Sequence, residues 1–500
     1  MNAPAQARSS SHTDYVDVLI VGAGLSGIGA AVHLGRDCPQ KSYAIWEARD
    51  AIGGTWDLFR YPGVRSDSDM HTLGYAFRPW VGDKAIADGP SIRDYVRATA
   101  RDHGIDQRIA FDRKVVAADW SSAEALWTVT ARDGDGGEHR IRANFLFMCS
   151  GYYDYENPYD AGFAGRADFA GPVVHPQFWP EDLNYTGKRV VVIGSGATAV
   201  TIVPEMAKTA ARVTMLQRSP TYVVSRPGAD AIANGLRKIL PARAAYALTR
   251  WKNVTLGRFF FRRARAKPAK VKATLVKWVG EAIGHDTAAA HFTPTYNPWD
   301  QRLCLIPDGD LFEAIKAGKA DVVTDTIEHF EADGIRLSSG DLLPADIIVT
   351  ATGLRLQVGG GADFSLDGAP IDFAKTFNYK GVMFSGVPNF AITFGYTNAS
   401  WTLKADLTSE YIGRLLNCMD AKGARVATPI ASSDIKPEAM LDFSSGYVTR
   451  ALDYLPKQGD RMPWKLNQNY PLDRKILRKD PVEDGVIAFT SPKTPVENAA

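Results

Sequence analysis

The chain has 500 residues, of which 45% are hydrophobic, so it is long enough for two or three domains with complete cores. Its 58 lysine and arginine residues nearly balance 56 aspartate and glutamate residues, and the net charge of +2 does not favour a nucleic-acid partner. The four cysteines form no disulfide or metal-binding pattern, and neither a secretory signal nor an apolar stretch of membrane-spanning length is present. We therefore expect a cytoplasmic protein with reduced thiols and no metal site.

The first predicted unit is strand, glycine turn, helix and strand. A strand over residues 16–21 leads into Gly22, Gly24 and Gly27 of a G-x-G-x-x-G pattern, a helix follows to residue 34, and a strand over residues 43–46 ends at Glu47. The glycines permit a tight turn, approach of a pyrophosphate and close helix packing, while Glu47 is spaced to accept hydrogen bonds from a ribose. An ordinary turn is the alternative for the glycines alone. The complete unit favours FAD or NAD, and its position near the amino terminus favours FAD by analogy with other flavoproteins.

A second unit follows from residue 189. A strand over residues 189–193 precedes Gly194, Ser195, Gly196, Ala197, Thr198 and Ala199, and a helix and a strand over residues 213–216 come next. After this strand the chain has Gln217, Arg218 and Ser219 in place of an acid. A guanidinium beside amide and hydroxyl donors suits a 2′-phosphate, which predicts NADPH, although Arg218 alone would read as a solvated surface residue.

After the second unit, the sequence predicts a helical insertion followed by further strands. Residues 231–280 contain 13 lysine and arginine residues and no aspartate or glutamate, and strands are predicted over residues 321–323 and 345–350. We expect an α/β protein with two Rossmann-like dinucleotide-binding domains, for FAD and NADP, and a helical insertion. The predicted division is residues 1–150 and 353–500 for FAD, 151–225 (with a linker) and 293–352 for NADP, and 226–292 for the insertion.

Two longer motifs go beyond dinucleotide binding. Residues 53–67 read GGTWDLFRYPGVRSD, and residues 169–180 read FAGPVVHPQFWP. They resemble the two fingerprints of type I Baeyer–Villiger monooxygenases, G-G-x-W-x-x-x-x-[FY]-P-G-x-x-x-D and F-x-G-x-x-x-H-x-x-x-W-P. Residues 296–304 and 395–406 are similar to the ethionamide-activating mycobacterial subgroup of that family.

The resemblance implies a reaction and a set of site residues. In the family, NADPH reduces FAD, O2 adds at flavin C4a, and the peroxide attacks a ketone to give an ester or lactone. The resemblance places Arg302 over the flavin, where its charge stabilises the anion, and pairs it with Asp67, which by spacing alone would be a turn-capping carboxylate. It also adds Ser26, Thr55, Trp56, Asp57, Asp67 and Val115 to the FAD site. His175 would couple domain movement to catalysis or be a structural histidine, and Gln301 departs from relatives that have lysine there.

Several alternatives stay open at this point. The oxygenase could act mainly on sulfides, thioamides or amines, or the chain could be a non-catalytic flavin-binding regulator; a disulfide reductase is disfavoured by the missing cysteine pair. The expected substrate pocket is apolar, and Trp401 and Trp464 either line it or pack in the core. The basic 231–280 segment predicts peripheral contact with anionic lipid or a solvated subdomain beside the substrate entrance.

Overall fold

The computed structural model describes residues 14–301, 303–441 and 443–492. The first part of the chain contains six strands and four helices. They are β1 (Asp14–Val21), α1 (Leu25–Asp37), β2 (Tyr43–Trp46), α2 (Thr55–Leu58), α3 (Met70–Leu73), α4 (Gly89–Asp102), β3 (Ile109–Ala110), β4 (Lys114–Ser121), β5 (Leu126–Arg132) and β6 (Glu138–Met148).

The middle part contains ten strands and six helices. They are β7 (Val173–Val174), β8 (Arg189–Ile193), α5 (Ala197–Met206), β9 (Arg212–Gln217), β10 (Val223–Arg226), α6 (Ala231–Ile239), α7 (Ala242–Ala266), α8 (Pro268–Ile283), α9 (His285–His291), β11 (Cys304–Pro307), α10 (Asp310–Lys316), β12 (Ala320–Thr324), β13 (Ile327–Glu331), β14 (Gly334–Leu337), β15 (Leu342–Pro344) and β16 (Ile347–Thr350).

The last part contains nine strands and three helices. They are β17 (Asp363–Leu366), β18 (Ala369–Pro370), β19 (Asn378–Tyr379), β20 (Met383–Phe384), β21 (Phe390–Ile392), α11 (Trp401–Lys422), β22 (Val426–Pro429), β23 (Pro437–Ala439), α12 (Gly446–Thr449), β24 (Lys457–Gly459), α13 (Tyr470–Arg478) and β25 (Ile487–Thr490).

The largest sheet joins the two ends of the chain. Its order is β18-β17-β4-β5-β6-β1-β2-β3, and β21 pairs with β6. Strand β1 lies parallel to both β2 and β6, so the carboxyl ends of these three strands meet at one edge. Ligands of open α/β sheets bind outside such carboxyl ends. Helices α1 and α11 pack together over one face, with buried Ile28, Leu407 and Tyr411 in the same core.

A second sheet, β12-β9-β8-β16-β7, is parallel throughout. Its strands are nearly continuous apolar runs, as expected for a parallel sheet covered on both faces, here by α5 on one side and by β13 and β14 on the other. The six strands predicted from the sequence all form, as β1, β2, β8, β9, β12 and β16, and the first helix extends to Asp37 rather than residue 34. The prediction of an α/β fold is confirmed.

Helices α6 to α9 form the insertion, and Arg250 of α7 anchors it to the first part of the chain. The Arg250 side chain is 9% exposed, and one guanidinium nitrogen donates to the carbonyl oxygens of His71, Thr72 and Gly74 at 3.0, 3.2 and 2.8 Å. These oxygens belong to the end of α3, where a cation is favourable. The other terminal nitrogen lies 3.5 Å from buried Asp406 of α11. The inner face of α7 is therefore fixed against the large sheet's helices.

All four cysteines lie in the described part of the chain and form no disulfide; three are buried, whereas Cys418 is only partly buried. Within the described ranges, no helix is long and apolar enough to cross a membrane. The same ranges contain no group of three or more His, Cys, Asp or Glu side chains arranged to hold a metal ion.

Candidate functional site

The first glycine turn connects β1 to α1 with almost no free space. Gly22 has φ +106°, which favours glycine, and a Cβ on it would lie 2.6 Å from the carbonyl oxygen of Cys149 at the end of β6. A Cβ on Gly27 would overlap the carbonyl oxygen of Gly22. The first and third glycines thus allow the turn and the close packing of helix on strand. This leaves the amino terminus of α1 open toward the carboxyl edge of the sheet.

Glu47 follows β2 directly beside this turn. Its carboxylate accepts hydrogen bonds from the backbone N–H groups of Ala23, at 2.6 Å, and Arg49, at 3.0 Å. The side chain is 5% exposed, and this burial raises the pKa of the carboxyl group above its usual value. A carboxylate that touches the glycine turn and faces a cavity is placed as a ribose-binding acid would be.

The first long motif, residues 53–67, packs against the glycine turn where Gly54 meets Gly24. A Cβ on Gly54 would meet the Cα atom of Gly24 at 3.0 Å, so the two backbones approach without side chains between them. The next residue, Thr55, has its hydroxyl group 3.0 Å from the Tyr155 hydroxyl group. Burial raises the pKa of Tyr155 to about 12, so this hydroxyl stays protonated and can donate.

These segments surround a first cavity of about 540 Å³. Among the residues predicted for cofactor binding, ten line it: Gly22, Gly24, Ser26, Glu47, Thr55, Trp56, Asp67, Val115, Ala197 and Thr198. The first seven come from the FAD unit and the 53–67 motif, Val115 comes from β4, and the last two come from the start of α5. The cavity therefore reaches from the first glycine turn to the second.

Other predicted residues lie outside the first cavity. Gly27 serves helix packing, and Asp57 is 1% exposed, with its carboxylate 2.8 Å from the guanidinium groups of both Arg49 and Arg97. The structure thus makes Asp57 an internal ion-pair partner that holds two arginines around α2. The remaining predicted residues outside the cavity belong to the second unit: Gly194, Ser195, Gly196, Ala199, Gln217, Arg218 and Ser219.

The second glycine turn has the same geometry between β8 and α5. A Cβ on Gly194 would overlap the carbonyl oxygen of Ala351 after β16, and Ala199 is fully buried. The Ser195 hydroxyl donates to the carbonyl oxygen of Ser219 at 3.2 Å, which joins this turn to the end of β9. Arg218 beside it is exposed. The turn, Arg218 and Ser219 are therefore open to a ligand.

Gln217 differs from its predicted role. It is 2% exposed, and its amide nitrogen donates to the carbonyl oxygen of His291, at 2.7 Å, and to the Thr324 hydroxyl group, at 2.9 Å. Both donor hydrogens are therefore used inside the protein. Gln217 links β9 to α9 and β12 instead of presenting donors to a phosphate.

A second cavity of about 1240 Å³ adjoins the first. Its lining comes from the insertion helices, from β10 and β11, and from residues 397–400, 403 and 468–471. Apolar side chains provide much of this lining, and the insertion also contributes the cations Lys252, Arg258, Arg262, Arg263 and Lys270. The two cavities share Asp67, Ser68, Leu305 and Ala399. Leu303 lines the second cavity, whereas Arg302 lies outside the described residues. Asp67 thus stands where a group bound in one cavity would meet a molecule bound in the other.

The structure adds one aromatic residue, Tyr152, that the sequence did not single out. Tyr152 lines the first cavity and stacks on Trp401, with ring centroids 4.8 Å apart, and the Trp401 indole donates to the Ser26 hydroxyl group at 2.7 Å. Trp401 therefore belongs to the first cavity, whereas Trp464 is 2% exposed and packs in the core. The available signal for Tyr152 was its place just after a strand, β6, that ends at the same edge as β1.

His175 precedes a short helical turn and accepts a hydrogen bond from the backbone N–H of Gln177 at 3.1 Å. Burial lowers the pKa of its imidazole. Gln177 in turn donates to the carbonyl oxygen of Asp154 at 2.8 Å. The histidine is therefore a hydrogen-bonded part of the linker between the two sheets. Gln301 forms an isolated bridge with Pro298 next to β11.

Comparison with known families gives two matches. Residues 85–264 match the flavin-binding monooxygenase-like family, and residues 20–81 match an NAD(P)-binding Rossmann-like domain. The chain is 54% identical to the FAD-containing monooxygenase EthA of Mycobacterium tuberculosis over 488 residues, covering 97% of this chain and 99% of EthA. It is 48% identical over 484 residues to a putative FAD-containing monooxygenase, MymA, of the same organism, and the alignment covers 95% of this chain and 98% of MymA.

Solved structures agree in fold. A steroid monooxygenase bound to NADP aligns with a TM-score of 0.76 at 22% identity, covering 95% of this chain and all of that one. The open crystal structure of a cyclohexanone monooxygenase aligns with a TM-score of 0.72 at 21% identity, and the alignment covers 83% of this chain and 90% of that one. The predictions of FAD and NADPH as cofactors and of a monooxygenase are confirmed at the level of the family. The chain belongs to the Baeyer–Villiger-type FAD monooxygenases, in the branch that contains EthA.

Proposed function

We propose that the protein is a Baeyer–Villiger monooxygenase that converts ketones to esters or lactones and also oxidises sulfides and thioamides. The observation that supports this most directly is the position of Asp67 at the junction of the two cavities. The proposal places FAD in the first cavity and the organic substrate in the second. It keeps the predicted domain division and a cytoplasmic location.

Each part of the first cavity has a task in this proposal. Reduced FAD activates O2, and NADPH supplies the electrons. The Gly22 turn and the start of α1 hold the pyrophosphate, Glu47 accepts from a ribose hydroxyl, and Thr55 and Tyr155 act as hydrogen-bond donors. The amino terminus of α5, with Thr198, faces the same cavity, so the nicotinamide cofactor can approach the flavin there.

In this proposal, Asp67 and Arg302 make the enzyme able to oxidise ketones as well as sulfur compounds. Attack on a ketone carbonyl puts negative charge on oxygen, and a permanently charged guanidinium stabilises that charge. In this proposal, as the family resemblance implies, Asp67 would pair with Arg302 and orient its guanidinium. Sulfur oxidation creates no such anion, so it does not depend on this pair.

The proposal is tested by product analysis with the purified holoenzyme. Phenylacetone, NADPH, H+ and O2 should give benzyl acetate, NADP+ and water in equal amounts, measured by gas chromatography together with NADPH consumption. Thioanisole should give its sulfoxide. Sulfoxide without any ester would make the protein a heteroatom monooxygenase and contradict the proposal.

Replacing Arg218 by alanine should raise the KM for NADPH by roughly 10- to 100-fold, because charge-assisted hydrogen bonds to the 2′-phosphate are lost. The KM for NADH should stay the same, since NADH has no such phosphate. Steady-state kinetics with both cofactors checks this. Arg212→Ala is the matched control, because Arg212 is an exposed arginine at the other end of β9 that pairs with Asp321. An equal change for both cofactors would contradict phosphate binding.

The proposal also includes peripheral contact of residues 231–280 with a membrane surface. Eight large apolar side chains of this segment are exposed: Ile232, Ile239, Leu248, Trp251, Leu256, Phe259, Phe260 and Trp278. The segment contains no acidic residue. Exposed aromatic and cationic side chains on helices are typical of surfaces that lie on anionic lipid.

A further inference from the structure

We propose that the outer face of α7 docks on an anionic lipid bilayer, so that the second cavity opens toward the membrane and takes apolar substrates from it. The inference rests on the proposed function for the assignment of the second cavity to substrate. It specifies which face makes the contact, which lipids bind, and what the contact is for.

The orientation of α7 is fixed by its inner face. Tyr246, Thr249 and Arg250 are buried, and Tyr246 donates to the carbonyl oxygen of Tyr75 at 3.1 Å. Arg250 holds the three carbonyl oxygens at the end of α3. Asn253, one turn further on, donates to Asp69 at 2.9 Å. These contacts with the first part of the chain force the opposite face of α7 outward.

The outer face is apolar and cationic. Leu248, Trp251 and Phe259 are 48%, 68% and 57% exposed. Their spacing of three and eight residues places them on one stripe of the helix. Arg258 and Arg262 are exposed beside this stripe and also line the second cavity, so these two cations lie between the stripe and the cavity. Hydrophobic anchors flanked by solvent-facing cations suit the headgroup region of a bilayer.

The second cavity opens beside this stripe. Phe260, which follows Phe259 on α7, is 41% exposed and lines the cavity. Ile232 of α6 and Trp278 of α8 are 60% and 52% exposed and line it as well. Three neighbouring helices therefore contribute exposed apolar side chains to a rim that also carries cations such as Arg258 and Arg262. An apolar molecule leaving a bilayer at this point would enter the cavity that Asp67 lines.

Charge decides between lipid and a second copy of the chain. A symmetric dimer through this face would bring two copies of the same acid-free, cationic surface together. Like charges at an interface are unfavourable, whereas anionic headgroups complement them. The surface therefore fits an anionic bilayer better than it fits itself.

The test is cosedimentation of the holoenzyme with phosphatidylcholine vesicles, with and without phosphatidylglycerol. Wild type should bind the anionic vesicles, and binding should weaken at high salt. The double variant Arg258→Gln, Arg262→Gln should lose about 25-fold in binding, at about fivefold per cation. The double variant Trp251→Gln, Phe259→Gln should lose at least about 10-fold. Ile430→Gln and Arg101→Gln, which remove an exposed apolar and an exposed basic residue elsewhere, should bind like wild type.

Entry of substrate from the membrane is measured separately, by the rate of ketone oxidation. A long-chain methyl ketone dissolved in the anionic vesicles should be oxidised more slowly by the Trp251, Phe259 double variant, while a water-soluble ketone should react at the wild-type rate, because neither residue lines the second cavity. Vesicle binding needs no turnover, so a failure of ketone oxidation alone would contradict the proposed function and leave docking supported. Absence of binding, equal binding to neutral vesicles, or a dimer in solution that the Trp251 and Phe259 changes dissociate would overturn docking.

Discussion

Replacing Arg302 by alanine should lower the rate of ester formation from phenylacetone by at least about 100-fold, the usual loss when a donor to a developing oxyanion is removed. Oxidation of thioanisole should fall far less, because that reaction develops no oxyanion. NADPH should still be consumed and hydrogen peroxide released, since reduction of the flavin does not depend on this side chain. Parallel assays of ester, sulfoxide and peroxide check all three expectations.

Two further substitutions separate charge from geometry. Arg302→Lys keeps the charge but loses the planar donor fork, so it should retain part of the ketone activity. Asp67→Asn keeps the size of the side chain but removes its negative charge, and it should impair ester formation more than sulfoxidation. Arg101→Ala, an exposed change on α4, should have no effect. If Arg302→Ala lost ester and sulfoxide equally, the selective role of the arginine would be refuted.

Replacing Gly27 by alanine should abolish retention of FAD. The added Cβ would overlap the carbonyl oxygen of Gly22, so α1 has to move away from β1 and the pyrophosphate loses its turn. We expect the purified variant to hold less than about a tenth of the wild-type flavin. Absorbance of flavin per chain is the measurement, and circular dichroism shows whether the fold survives.

The same helix supplies the control for this prediction. Gly35 also lies in α1, and a Cβ there would meet no atom within 4 Å. Gly35→Ala should therefore bind FAD normally and stabilise the protein slightly, by about 0.5–1 kcal/mol, because alanine favours the helix. A yellow Gly27→Ala protein with full flavin would mean that the FAD pyrophosphate does not depend on this turn.

The sequence predicted those parts of the site that are local in the chain. Each glycine turn lies between a strand and a helix of one short segment, so spacing alone identified Gly22 and Gly194 and the strand ends that follow. The stacking of Tyr152 on Trp401, and the place of Trp401 beside Ser26, could not be predicted because the partners are far apart in the chain: Trp401 donates to Ser26 across 375 positions. Only the pairing of distant strands and helices brings them together.

Internal partners explain where residue roles differ from expectation. Asp57 and Gln217 have the right chemistry at the right spacing, but Asp57 pairs with Arg49 and Arg97, and the amide nitrogen of Gln217 donates to His291 and Thr324. Sequence shows which groups a side chain offers and not which groups it has already bound. In the insertion, likewise, composition revealed the basic segment, whereas the buried role of Arg250 depends on the carbonyl oxygens of α3.

The path of the chain through the large sheet has a consequence for synthesis on the ribosome. Strands β17 and β21 pair with β4 and β6, and Trp401 and α11 complete the first cavity and the packing of α1. The five-stranded parallel sheet, in contrast, needs only residues 173–350. The nascent chain can therefore finish its five-stranded sheet while the large sheet waits with the β21 pairing of β6 unmade and α1 uncovered. FAD can be captured only after α11 has emerged from the ribosome, so nascent chains that stop short of α11 are the ones most prone to aggregate.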